Sequence, residues 1–187
     1  MKLLTLLLLW AAAPALPLEI ASPDGLVVVR CDMKPAFVYS VLYRGTPILL
    51  ESSLGLVVEG VGPMGPGYTI DNVQQSEHSG SWRPVYGERS VIPENYHEAV
   101  VTLKSAARRL DIVIRAYNEG AAIRYVLPQQ PDLEDFVITS EQTEFRIPVA
   151  TRAWETHGAQ QPFENVWVKD IRANCERPLT LEYPDGK

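Results

Sequence analysis

Leu110-Asp111-Ile112-Val113-Ile114-Arg115-Ala116-Tyr117-Asn118-Glu119-Gly120-Ala121-Ala122-Ile123-Arg124-Tyr125-Val126-Leu127 is the stretch whose reading decides the fold. Leu110, Ile112, Ile114 and Ala116 alternate with Asp111, Val113, Arg115 and Tyr117, so an extended chain here has one wholly apolar side. Asn118-Glu119-Gly120 is a turn signal, with a glycine free to take positive φ. Residues 121–127 return as the partner strand, and Pro128, which lacks an N–H donor, stops it.

Upstream the same period recurs. His97, Ala99, Val101 and Leu103 share one side, opposite Glu98, Val100 and Thr102. Phe37, Tyr39, Val41 and Tyr43 alternate with Val38, Ser40, Leu42 and Arg44, and Arg44-Gly45-Thr46-Pro47 turns the chain into Ile48-Leu49-Leu50. Short apolar runs at 26–30, 55–59, 136–139 and 143–147 add further strands. Residues 60–81, with Gly62-Pro63-Met64-Gly65-Pro66-Gly67 and then a polar run, read as a long surface loop. No window sustains apolar spacings of three and four, so a long amphipathic helix is not expected. The pattern predicts an all-β domain: two antiparallel sheets packed as a sandwich. Leu179-Thr180-Leu181-Glu182-Tyr183 alternates as a strand, and Pro184-Asp185-Gly186 then begins a turn one residue before Lys187. A hairpin begun there and not completed predicts a fold that is incomplete at the C-terminus.

The first fifteen residues read differently. Lys2 precedes a dense apolar run at 3–10, and Ala13 and Ala15 meet the small-x-small requirement of a signal peptidase. The run breaks at Pro14 and Pro17, well short of the ~20 apolar residues that span a bilayer. Residues 1–15 therefore predict a signal peptide and residues 16–187 a single exported domain, periplasmic or extracellular, with no membrane span. A net charge of -6 leaves no basic surface to neutralise phosphates, which argues against nucleic acid and suits a neutral ligand such as a sugar. Cys31 and Cys175 lie too far apart in sequence for a pairing to be deduced, and His78, His97 and His157 show no zinc spacing.

By residue type, Trp82, Tyr86, Glu88 and Arg89 form the first candidate cluster: a ring to stack on a sugar face, with a carboxylate and a guanidinium for its hydroxyls. The same residue types also anchor interfaces between domains. Tyr96 and Glu98 form a second candidate; alternation places them on one face and His97 on the other. Trp154 and Trp167 fall in an irregular, Gln- and Glu-rich segment suited to facing another domain.

Trp82-Arg83-Pro84-Val85-Tyr86-Gly87-Glu88-Arg89-Ser90, Asn95-Tyr96-His97-Glu98, residues 108–125, Glu141-Gln142-Thr143-Glu144-Phe145 and Leu179-Thr180-Leu181-Glu182-Tyr183 together resemble the N-terminal domain of glycoside hydrolase family 97. His97 departs from the asparagine expected there. The likeness covers nearly all of the chain after residue 15. It implies a galactose-mutarotase-like β-sandwich that packs on a following (β/α)₈ barrel, in a bacterial exo-acting enzyme on α-glucosides or α-galactosides. It also implies that the hydrolytic carboxylates, and most ligands of a calcium ion, lie on that barrel, with one further glutamate beyond Lys187. On this reading no catalytic or metal-ligating residue is carried over to the chain, whose role is that of a non-catalytic accessory domain. The alternative is a stand-alone exported carbohydrate-binding module. A mutarotase-like epimerase needs an acid and a base converging on one ring, whereas His97 and Glu98 point to opposite faces.

Overall fold

The computed structural model describes residues 17–131 and 133–184. The signal peptide expected at 1–15 and the end of the turn expected at 184–186 lie outside the described residues. The first sheet is antiparallel and runs in the order β1 (Leu18–Ala21), β2 (Val27–Met33), β3 (Phe37–Tyr43) and β4 (Thr46–Ser53). Arg44 and Gly45 join β3 to β4, both at positive φ (50° and 77°), the two-residue turn whose twist matches a right-handed hairpin. Next come β5 (Leu56–Val58), β6 (Gly62–Met64), β7 (Thr69–Trp82), β8 (Ile92–Lys104), β9 (Arg109–Tyr117), β10 (Gly120–Val126) and β11 (Ile138–Glu141). The second large sheet has the order β10-β9-β8-β7, and a small one the order β11-β5-β6. Finally β12 (Arg152–Glu155), β13 (Glu164–Trp167) and β14 (Thr180–Glu182) form a sheet with β12 in the middle. A 3₁₀ turn at Val168–Asp170 is the single helical element among the described residues.

The alternation read from the sequence is the packing. Leu110, Ile112, Ile114 and Ala116 on β9 are fully buried, as are Ala99, Val101 and Leu103 beside them on β8. Facing them across the sandwich are Leu18, Ile20, Val27, Val29, Phe37, Tyr39 and Val41 from β1, β2 and β3. Burying each of the larger side chains contributes about 1.5–3 kcal/mol, so this double layer dominates the stability of the domain. Cys31 lies within it, its thiol pushed up to about 12 by burial, and Cys175 is likewise unpaired. The small sheet of β5, β6 and β11 adds Leu56, Val58 and Met64 to the same core. Gly65, at φ 113°, lies against the backbone that leads into β5: a Cβ there would meet the Leu54 carbonyl at 3.0 Å.

Three expectations are corrected. Residues 60–81 are not one long loop: they hold β6 and the longest strand of the molecule, the 14-residue β7. Nearly every side chain of β7 is exposed, so hydrogen bonding to β8 makes it a strand and no apolar period marks it. Residues 143–147 form no ladder strand. They lie along β4 through isolated bonds, Glu144 N–H to the Ser53 carbonyl (3.0 Å) and Leu50 N–H to the Arg146 carbonyl (2.8 Å). Gly120 does not take positive φ; the β9–β10 turn needs only Asn118 and Glu119, and Gly120 is already paired with Tyr117.

Ile112→Ala is expected to lower unfolding free energy by about 2–5 kcal/mol, through lost burial and the cavity left behind. Val85→Ala, at a fully exposed position, is expected to change it by less than ~0.5 kcal/mol. Urea denaturation of both variants checks the pair.

Candidate functional site

The long hairpin of β7 and β8 sets the geometry. These strands pair from Thr69↔Lys104 to Trp82↔Ile92, but β9 accompanies β8 only as far as Tyr96↔Tyr117. Beyond Tyr96 the two strands project alone as a ribbon, the arm. Pro93 is tolerated in β8 because no third strand lies there to require its missing N–H. At the tip, Trp82, Pro84, Tyr86, Glu88, Arg89 and Ile92 line an open groove. This brings together all four residues of the first cluster. The tip is bare: Trp82 is 50% exposed, Tyr86 90% and Val85 101%.

Tyr96 and Glu98 lie elsewhere, at the base of the arm on the outer face of the large sheet. Tyr96 lies four positions along β8 from Ile92, about 14 Å of extended chain, so the two clusters form separate places. Tyr96 is only 8% exposed although it faces away from the core. His78 stacks on it at 4.9 Å, Tyr117 tilts against it at 5.0 Å, and the Arg115 guanidinium lies 4.2 Å from its ring centre. Arg115 donates to the Glu98 carboxylate at 2.6 Å. Hydrogen bonding to the Tyr117 hydroxyl and to Glu98 raises the guanidinium above its ordinary range. Arg115 thus pairs across to β8. These side chains are engaged with one another, which stiffens the root of the arm. His97 points to the opposite face, where its Nδ1–H donates to the Ala21 carbonyl (2.7 Å) and ties β1 to β8.

Sequence reasoning missed the order in the C-terminal segment. Trp154 and Trp167 sit on β12 and β13, not in irregular chain, and share an exposed face with Arg152, Asn165, Thr180 and Glu182. On the opposite face Ala153 and Glu155 are buried. The signal was the alternation of 152–155, too short to stand out beside a Gln- and Pro-containing loop. The Glu155 carboxylate, 1% exposed, accepts the backbone N–H of Arg172 (2.9 Å) and its Nε (2.9 Å), with His157 Nε2 3.2 Å away. The Arg172 backbone N–H is the chief cause holding Glu155 below the usual carboxylate range; burial opposes it and the guanidinium reinforces it. Among the described residues, no three His, Cys, Asp or Glu side chains come together to hold a metal ion, and no helix is long and apolar enough to cross a membrane.

Residues 20–187 match the family model described as the glycosyl-hydrolase 97 N-terminal domain. The chain belongs to that family. In three dimensions it is similar to a Glycoside Hydrolase Family 97 enzyme from Pseudoalteromonas sp. strain K8, solved in complex with panose and in complex with acarbose. The TM-score is 0.83 at 23% identity, over 90% of this chain and 27% of that one. A beta-arabinopyranosidase shares the fold at TM-score 0.80 and 17% identity, over 88% of this chain and 29% of that one. At such identities the likeness speaks to fold: the all-β, antiparallel architecture of a family 97 N-terminal domain. The chain spans less than a third of the length of these enzymes.

Glu155 gives this domain an acid-sensitive element. Its folded pKa lies below its unfolded value, so its stabilisation is present above the ordinary carboxylate range and is lost as pH falls through the folded value. Glu155→Gln is expected to lower the Tm at pH 7 and to flatten the fall in Tm between about pH 5 and pH 3, as read by thermal melts across that range.

Proposed function

We propose that this chain is the exported, non-catalytic accessory domain of a bacterial α-glycoside hydrolase. It packs on a (β/α)₈ catalytic barrel in the same longer protein and shapes the edge of its active site. The observation that carries this reading is the tip of the arm. A two-stranded ribbon has no layer of its own in which to bury Trp82, Val85, Tyr86 and Val91, and all four are exposed. The occupant is assigned to the rest of the longer chain because a match over 90% of this domain takes in only 27% of a family 97 enzyme. On this reading Trp82, Tyr86, Glu88 and Arg89 serve the interdomain contact. Tyr96 and Glu98, held by Arg115 and Tyr117, fix the direction in which the arm reaches.

The substrate class proposed for the whole enzyme is an α-glucoside or α-galactoside; the fold shared with an enzyme that binds panose and acarbose supports a carbohydrate. Calcium is proposed for the catalytic region. The described residues bring together no cluster of acidic side chains able to form its oxygen cage of six to eight ligands. Export rests on Lys2, the apolar run at 3–10 and the Ala13–Ala15 spacing. A second reading, an exported carbohydrate-binding module acting alone, is favoured by the tryptophan-bearing face of β12 and β13.

The purified 187-residue chain is expected to hydrolyse neither aryl α-glucosides nor aryl α-galactosides, with or without calcium. Turnover that follows this polypeptide through repurification overturns the accessory reading. Expressed beside the catalytic region of the longer protein, the chain should be retained on it, and Val85→Ser with Tyr86→Ser should weaken retention about tenfold or more. Protein recovered after export should begin at Leu16 by intact mass; persistence of Met1 in the exported pool refutes the leader.

A further inference from the structure

The large sheet ends on β7, which has β8 on one side and, among the described residues, no strand on the other. Pro93 stands opposite Ser81 with no N–H to donate, so the backbone groups of that pair point away from each other. By alternation Val73, Gln75, Glu77, Ser79 and Ser81 turn their N–H and C=O groups to the open edge. The register is unbroken from Asn72 to Trp82, its one irregularity lying before that run, between Ile70 and Asn72. Exposed sheet edges are ordinarily blunted by lysine, proline, a bulge or a very short strand. This run has neither lysine nor proline, and Glu77 is its one carboxylate. β7 has 14 residues where β10, at the opposite edge, has 7. From Gln74 to Trp82 every side chain of β7 is exposed, so no other described part of the chain lies over the strand.

We infer that the open edge of β7 pairs with the same edge of a second copy of this chain, antiparallel about a two-fold axis, joining two four-stranded sheets into one. An antiparallel pair of identical edges is self-complementary: residues that bond outward meet their like whenever the axis passes between a residue and its own copy. Charge then selects the residue. An axis on Glu77 sets two carboxylates face to face, and an axis on His78 sets two imidazoles face to face, which repel when protonated. An axis on Ser76 avoids both. It brings Gln75 opposite Glu77 of the second copy, Gln74 opposite His78, Val73 opposite Ser79 and Asn72 opposite Gly80, each twice by symmetry. Each carboxylate then meets an amide able to donate to it. Residues 72–80 of both copies take part, all within the unbroken run.

Composition separates this edge from the docking surface at the arm tip. It offers backbone hydrogen bonds and uncharged polar side chains, Gln74, Gln75, Ser76 and Ser79, with no apolar ridge to enter a groove. A main-chain ladder satisfies such a surface directly, and an apolar partner does not. Two copies of net charge -6 repel each other at long range, while the seam itself carries one carboxylate from each. That repulsion is screened by salt, so the contact tightens as ionic strength rises. The paired residues stop at Gly80, short of Trp82 and the tip, so the seam and the interdomain contact can be made together. Neither the seam nor its axis depends on what the longer protein hydrolyses.

The purified chain is measured by sedimentation velocity and light scattering up to about 500 µM. A reversible monomer–dimer equilibrium is expected, with a larger dimer share at about 0.5 M salt than at low salt. Gln75→Pro removes an edge-facing N–H and leaves the β8 ladder alone, and Ser76→Lys sets like charges across the axis. Each should weaken the dimer about tenfold or more, while Val85→Ser with Tyr86→Ser at the arm tip should leave it within about twofold. Far-ultraviolet circular dichroism and Tm verify that each variant is folded; should Gln75→Pro fail that check, Ser76→Lys and the cysteine variants carry the test. The cysteine variants are made with Cys175→Ser, which leaves only the buried Cys31. Ser76→Cys should then form a disulfide-linked dimer on oxidation with diamide, because facing Cα atoms in a non-hydrogen-bonded pair lie about 4.5 Å apart. Ser79→Cys should not, since its own counterpart lies about 20 Å along the seam. A chain still monomeric at about 500 µM overturns the proposal. So does a dimer that neither Gln75→Pro nor Ser76→Lys weakens, or one that Ser76→Cys does not link. Loss of retention on the catalytic region by Ser76→Lys assigns the edge to that contact and also overturns it. The accessory-domain reading fails on different evidence, hydrolysis by this chain or no retention of the parent chain, so the two stand or fall separately.

Discussion

The pairing of β8 with β9 runs unbroken from Tyr96↔Tyr117 to Lys104↔Arg109 and places Ala99, Val101 and Leu103 beside Ile114, Ile112 and Leu110. A slip of one residue would turn every one of these side chains to solvent and bring Glu98, Thr102, Asp111 and Arg115 into the core. Burial therefore fixes this register, and the rest of the molecule inherits it. The inner side of the pair is the floor on which β1, β2 and β3 pack. The outer side is where Tyr96, Glu98, Arg115 and Tyr117 meet, and the overhang of β8 past Tyr117 becomes the arm.

The arm joins two different physical states. Its root is held by ring stacking and by a short charge-assisted hydrogen bond between Arg115 and Glu98. That pair is partly exposed, so its value lies less in net stability than in fixing geometry. The tip lacks such internal contacts around Tyr86 and Val85, whose side chains are almost wholly in solvent. A rigid root with an unpacked apolar tip suits a lever whose end is completed by another body. Stacking on a small ligand would instead favour rings already held in place.

In the small C-terminal sheet the arrangement is reversed. The small C-terminal sheet keeps a buried carboxylate, Glu155, beneath it and presents tryptophans above. Burying an anion is unfavourable unless its lone pairs are filled, and Arg172 fills them from its backbone and its side chain. That same contact ties the segment after β13 to β12 and gives the sheet a fixed back. The ordered Arg152–Asn165–Glu182 chain on its front depends on that support.

The sequence by itself determined the strands whose two faces meet different solvents. β3, β8 and β9 were legible because bulky apolar side chains recur at every second position, and period two records that contrast; β10 was legible as the strand returning from the turn after β9. The opposition of His97 to Tyr96 and Glu98 was legible for the same reason. The family, too, could be read from its motifs, since these are local strings. β7 could not be read: a strand exposed on both faces carries no contrast, and only its hydrogen bonds to β8 make it one. The separation of Trp82, Tyr86, Glu88 and Arg89 from Tyr96 and Glu98 was decided by where β9 ends, a non-local fact. So was the meeting of Trp154, Trp167, Arg152 and Glu182, which lie on three short strands. Residues distant in sequence become one surface only through inter-strand pairing, and no local pattern encodes which strands will pair.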